Sequence, residues 1–371
     1  MKPSNELFDL IRSLTKSEKR FFKLHSALQS GPKNYLRIFD TIDKQKDYDE
    51  EAIKRHFAKE TFIKHFPSEK NHLYKLILKA LRAYHAESSV SGLLKQDINN
   101  IEILFGKALY SEAAKILQRA KRVARENERF YQWFDLLSWE KMLMEEAYQE
   151  GNFSRDVDAL IKEEEEVLDK LRNLAAYHVL YAKINYVFRS GGYVRTDEEH
   201  AIVDEISEHP LIKGRNTALS HRASTICHYT QGFCYWAKRD WETSYTKFMR
   251  AKTILDKDPV LRKDLPKRYI RTLHYVVQCE IELGKYAKAR EHIDQLHELL
   301  DTPGFDAADL STLITVTTCL CELRLLDRKG EYERAADMEE MVKQAMIHLE
   351  DRLPKENELE FDLLLSTIQF G

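Results

Sequence analysis

Glycine and proline are scarce in this chain, at 12 and 8 of 371 residues. That excludes collagen-like and linker-rich designs and leaves long stretches with nothing to interrupt a helix. No apolar run approaches the ~20 residues that a membrane-spanning helix needs, so no membrane association is expected. The opening segment, "MKPSNELFDLIRS", lacks an apolar secretory core, from which a cytoplasmic location is expected. Cysteine is limited to Cys227, Cys234, Cys279, Cys319 and Cys321. An odd number with no CxxC pair argues against a disulfide framework or a zinc site, and buried, reduced thiols are expected.

Signatures of catalysis are also missing. The chain has no HExxH, no glycine-rich phosphate loop and no GxSxG. "SGGY" at 190–193 follows no strand and reads as a helix-ending turn. His292 and His297 are badly spaced for one helix face, and His221 and His228 have no carboxylate motif beside them. The acidic run "KEEEEVLDK" (162–170) fits a solvated face near a helix start better than a basic-partner patch. No catalytic residue, metal or cofactor is therefore expected, and the chain reads as a non-enzyme.

What is present is charge and helix-forming sequence: 32% charged and 43% hydrophobic residues, with 58 Lys+Arg against 61 Asp+Glu. The charges are unevenly spread. Residues 1–90 hold 18 basic against 12 acidic residues, and the remaining 281 hold 40 against 49. Two parts with different partners are implied.

The segment "GFCYWAKRDWETSYTKFMRA" (232–251) mixes large aromatics with small residues at helical intervals. Taking Trp241 as an anchor, a comparable pattern recurs at Tyr110, Phe153, Tyr193, Tyr286 and Tyr332. Two residues before most of these stands Gly or Ala: Ala108, Gly151, Gly191, Gly284, Gly330. Three residues after stands a small side chain in most units: Ala113, Thr196, Ser244, Ala289, Ala335. Phe153 departs, with Asp156 there. Seven after come Leu117, Leu160, His200, Phe248, Ile293 and Glu339. A glycine closing one helix can turn left-handed without steric penalty, and small residues let two helix axes approach to about 8–10 Å. Spacings of three, four and seven keep these positions on one helix face.

These positions resemble the tetratricopeptide repeat, a helix–turn–helix unit that stacks into a superhelix. Residues 225–256 match best, through Gly232, Tyr235, Trp241, Ser244, Phe248 and Ala251, and residues 270–301 come next. The anchors are separated by 43, 40, 48, 45 and 46 residues, against about 34 in the typical unit. Lengthened helices or loops such as "HPLIKGRN" and "DTPGFDAADL" account for the difference. The expected fold is all-α: a right-handed superhelix of about six such helix pairs over residues 93–348, preceded by a small helical bundle (1–92) and closed by an amphipathic capping helix (349–371).

In the bundle, "LTKSEKRFFKLHSAL" opens with a capping box, Thr15 bonding forward and Glu18 back. Two further helices follow, and then the long "SEKNHLYKLILKALRAYHAE", with an apolar stripe through Leu73, Ile77 and Ala80. On its other side stand Lys70, Asn71, His72, Lys75, Lys79 and Arg82. A compact helical set ending in a basic helix admits a DNA-contacting reading for these residues; a solvated face on a capping bundle fits better, since the excess of positive charge is small and no glycine marks a diagnostic turn. The arrangement resembles bacterial regulators that join a small helical domain to tetratricopeptide repeats.

The resemblance implies a groove lined by the first helix of each pair, holding a protein or peptide. By register it is lined by Glu102 and Phe105; Lys141, Glu145 and Tyr148; Tyr181, Asn185 and Phe188; Tyr229, Phe233 and Trp236; Arg271, His274 and Gln278; and Arg324 and Asp327, with burial by a tight superhelix as the alternative for Phe233 and Trp236. Asn185 is central, with an amide that can both donate to and accept from a peptide backbone. Glu145 stands where the family's carboxylate clamp needs Asn beside Lys141, so chaperone-tail binding is not expected. A peptide-binding scaffold or adaptor is the function expected, with a DNA-contacting transcriptional regulator as the alternative.

Overall fold

The computed structural model describes residues 5–27, 34–86, 89–147, 157–189, 194–335, 337–338 and 355–370, and every regular element among them is a helix. Among the described residues no helix is long and apolar enough to cross a membrane. The chain divides into two compact units, Met1–Ala124 with Asp135–Phe153, and Arg125–Phe134 with Ser154–Gly371.

The first unit begins with α1 (Glu6–Ser13), α2 (Lys16–Ala27), α3 (Asn34–Asp43), α4 (Glu50–His56), a 3-10 turn (Thr61–His65) and α5 (Phe66–His85). The capping box forms as expected: Thr15 N donates to Glu18 Oε2 (2.7 Å) and Glu18 N to Thr15 Oγ1 (3.2 Å). Leu7, Ile11, Phe22, Ile38, Phe39, Ile53, Phe66, Leu73 and Ile77 form one core, with α1, α2 and α3 packed on α5. Then come α6 (Val90–Phe105), α7 (Tyr110–Glu126) and α8 (Phe130–Ala147), the last two crossing the boundary between the units. Phe105 meets both Tyr110 and Trp139 edge-on. Lys121 on α7 is fully sheltered and bonds Glu140 on α8 at 2.5 Å.

The second unit holds α9 (Val157–Arg189), α10 (Asp197–Glu208), α11 (Pro210–Lys213), α12 (His221–Ala237), α13 (Trp241–Lys257), α14 (Pro259–Asp264), α15 (Pro266–Glu282), α16 (Tyr286–Glu298), a 3-10 turn (Leu299–Asp301), α17 (Ala308–Lys329) and α18 (Lys355–Phe370). Consecutive helices pack in chain order from α12 through α13, α15 and α16 to α17, and α18 packs on α17 through Phe361 and Leu365.

The same turn closes four helices. Two residues before Tyr110, Trp241, Tyr286 and Tyr332 the backbone is left-handed, at Ala108 (φ 58), Arg239 (φ 57), Gly284 (φ 68) and Gly330 (φ 69). In each, the amide just before the aromatic reaches back five residues: Leu109 to Leu104 O, Asp240 to Tyr235 O, Lys285 to Glu280 O and Glu331 to Leu326 O, at 2.8–3.0 Å. The left-handed residue itself donates three residues back in every case. These paired bonds satisfy carbonyls that a helix end leaves unpartnered. The fourth residue of each new helix (Ala113, Ser244, Ala289, Ala335) is fully buried, as are Leu117 and Phe248 four residues on, with Ile293 nearly so.

Gly232 explains the best-matching pair. A Cβ placed there would lie 2.6 Å from the Phe248 ring, and Ser244 Oγ donates to Gly232 O at 2.9 Å. Small residues are required at both positions because the Phe248 ring and the Ser244 hydroxyl of α13 pack directly on the α12 backbone at this point.

Two expectations are corrected. Residues 157–189 form one 33-residue helix, where the repeat scheme called for the second helix of one pair and the first of the next. The stretch contains neither glycine nor proline, so nothing stops it. Thr196 is an exposed N-cap of α10, bonding Glu199 in a capping box, rather than a packed small residue; His200 is exposed as well. The anchors Phe153 and Tyr193, with Gly151, Asp156, Gly191 and Glu339, lie outside the described residues. Cys227, Cys234, Cys279 and Cys321 are buried free thiols and Cys319 is half-buried.

Candidate functional site

The groove residues expected in the second unit fall into two classes. Tyr229 and Phe233 are 1% exposed and Trp236 is 6%. They join Phe248 and Tyr275 in an aromatic cluster with ring centroids 4.7–6.0 Å apart. This corrects their assignment: side chains so enclosed offer a ligand no surface, and they form the floor beneath the face. Groove and core positions both fall on α12 one turn apart, and aromatic size alone does not separate them. Gln278 is likewise buried, at 3%.

Tyr181, Asn185, His274 and Arg324 are half-buried, and Arg271 is exposed. Asn185 makes no side-chain hydrogen bond within the protein among the described residues. Tyr181 on α9 faces Tyr229 on α12 at 5.7 Å, and Phe188 faces Phe233 at 4.7 Å. On α15, His274 and Gln278 turn toward α17. Arg324 Nη1 donates to Gln278 Oε1 at 2.6 Å, and Cys321 Sγ lies 3.5 Å from His274 Nδ1. Burial, with Arg324 adding to it, pushes the His274 imidazole down to about 3, so it is neutral near pH 7. His274, Gln278 and Arg324 thus meet where α15 packs on α17.

One residue of this face escaped the sequence reading. The Arg268 guanidinium lies 4.5 Å from the Tyr181 ring centroid and 4.8 Å from that of Tyr229. Its Nη1 is closed to solvent and has no hydrogen-bond partner. Burial lowers its pKa, yet an arginine so shifted stays charged. Beside it, His178 is also lowered, first by burial and then by Arg268. The only sequence signal was spacing, since Arg268, Arg271, Tyr275 and Gln278 recur at helical intervals along α15.

A neighbouring cluster is structural. Glu128 accepts from the amides of His221 and Arg222 at 2.7 and 2.8 Å, capping the start of α12. Asp264 pairs with Arg222 at 2.5 Å and also with Arg129. These carboxylates are committed to the fold.

In the first unit, Lys141 and Glu145 are exposed on α8 and Glu102 on α6, while Tyr148 lies outside the described residues. Of the nucleic-acid candidates, Lys70 is corrected. It is 15% exposed, bonded to Glu50 at 2.5 Å and placed over the Tyr48 and Phe66 rings, so its charge is spent inside the bundle. Asn71, His72, Lys75, Lys79 and Arg82 are exposed along α5. No protein-family model matches the chain, and no curated protein matches it.

Proposed function

We propose that the chain is a non-enzymatic, tetratricopeptide-like scaffold or adaptor that binds a peptide or protein on the face formed by α9, α12, α15 and α17. The observation that carries this reading is Asn185: a half-buried amide, beside Tyr181 on α9, whose donors and acceptor are left for something outside the fold. The four like turns and the ordered packing of α12 to α17 support a repeat array. The test is selection of binders to the full chain from a random peptide library. Asn185→Ala weakens the selected peptides about tenfold, as expected for a lost pair of backbone hydrogen bonds, and leaves helical content by circular dichroism unchanged. Equal affinity for wild type and variant overturns the reading.

A second reading, a regulator contacting DNA through α5, is favoured by one observation: Lys75, Lys79 and Arg82 are exposed and have no ion-pair partner among the described residues. A mobility-shift assay on the full chain tests it, since phosphate contacts are strongest at low salt. Binding abolished by the triple change of these residues to Gln supports it, and no shift at low salt removes it.

A further inference from the structure

Most of the described arginines of the second unit are answered by a carboxylate or an amide. Arg129 and Arg222 share Asp264, Arg262 faces Asp256, Arg290 pairs with Glu322, Arg328 with Glu282, and Arg324 bonds Gln278. Arg215, Arg250, Arg268 and Arg271 have no ion-pair partner among the described residues; Arg215 and Arg250 are simply exposed, whereas Arg268 is half-buried with Arg271 one turn away. The titratable groups facing Arg268 are Tyr229, Tyr181, Arg271 and His178, and those facing Tyr229 are Tyr275, Tyr181, Arg268 and Arg271. No carboxylate enters either set.

Sheltering a cation without an opposite charge is unfavourable. Two tyrosine rings offset part of that for Arg268, but they neither neutralise the charge nor satisfy the Nη1 atom left without a partner. Arg271, one turn along α15, carries its guanidinium to the surface of the same face. The pair combines a fixed positive centre with a reachable fork of donors, a combination that suits an incoming carboxylate.

We propose that the face shared by α9, α12 and α15 recognises an acidic peptide, an Asp or Glu side chain bonding Arg271 against the standing charge of Arg268 while Asn185 holds the peptide backbone. The proposal rests on the peptide-binding reading and names the chemistry of its ligand. A peptide carboxylate fits better than a nucleic-acid backbone. Residues 91–371 hold 40 basic against 49 acidic residues, so a long polyanion meets a net negative surround, whereas a peptide presents one or two charges to the patch.

The experiment is fluorescence anisotropy on the full chain with three labelled probes: a short peptide of alternating Glu and Gly, its Gln counterpart, and a short oligothymidylate. The Glu peptide is expected to bind about tenfold or more tightly than the Gln peptide, with affinity falling as salt rises. Arg271→Ala removes that preference, Arg271→Lys keeps part of it, and neither shifts the melting temperature. Equal affinity for the Glu and Gln peptides, a preference unaffected by Arg271→Ala, or tighter binding of the oligothymidylate each overturns the proposal. A neutral library-selected peptide that is sensitive to Asn185→Ala but not to Arg271→Ala sinks the acidic preference and leaves the scaffold reading standing. No binding by any peptide, selected or designed, sinks both.

Discussion

Two sheltered cations, one in each unit, are housed in opposite ways. Lys121 in α7 is 5% exposed, and its ammonium is bonded to Glu140, itself 0% exposed, while Gln118 donates to the other carboxylate oxygen at 2.9 Å. Charge, desolvation and hydrogen bonding are all settled inside the fold. Arg268 in α15 is held between two rings with no carboxylate partner among the described residues. An enclosed ion pair locks helices to each other, while an enclosed lone cation leaves the molecule with a field to be satisfied from outside. The first arrangement serves stability; the second is the one on which the proposed recognition rests.

The largest break in that comparison comes from Lys121→Met. Leaving Glu140 charged and enclosed without its partner lowers stability by about 3–5 kcal/mol, read from chemical denaturation. The matched change Arg268→Met goes the other way. It keeps the packed stem and removes the uncompensated charge, so stability stays level or rises by about 1 kcal/mol. A clear loss for Arg268→Met would make the arginine a structural strut like Lys121 and erase the distinction.

Acid sharpens the contrast between the regions. His274 is held at about 3 and His178 is also lowered, both from an ordinary 6.5. Between the folded and ordinary values the unfolded chain binds more protons, so this stabilisation is whole above pH 6.5 and is lost as pH falls toward 3. In the bundle, burial raises Glu50, but bonds from Lys70, Lys54 and Tyr48 outweigh it; Glu18, bonded by Thr15 and His85, is lowered in the same manner. Their contribution is whole above their ordinary 4.5 and is lost only as pH drops through the folded values. Residue-resolved hydrogen exchange across pH 7 to 4 should therefore show α15 loosening before α2 and α4. Simultaneous loosening would contradict it. The smallest effect is that of Arg271→Ala on stability, within about 0.5 kcal/mol because the side chain is exposed.

The helix-closing turns were legible because their cause is local. Gly284 and Gly330 announce left-handed backbone, and the buried Ala113, Ser244 and Ala289 follow from spacing. Arg239 and Ala108 take the same conformation without glycine, so the aromatic anchor was the surer sign. The continuous α9 was legible in principle, since 33 residues pass without a breaker, but the repeat register overrode that signal. What the sequence concealed depends on residues far apart along it. Tyr181 and Arg268 meet only when α9 and α15 are brought to α12, and Glu128 caps a helix that starts at His221. Lys70 read as a free surface cation because its partner Glu50 belongs to another helix.

The contact between Gly232 and Phe248 has a kinetic consequence. A phenyl ring set against bare backbone, stacked on Tyr275 at 5.3 Å with 18° between the planes, has no room to rotate in place. Each half-turn of that ring requires α12 to lift momentarily from α13. The flip frequency of Phe248, resolved as separate or merged ring-proton resonances, therefore clocks the breathing of this helix pair, and clamping the neighbouring face with a ligand should slow it.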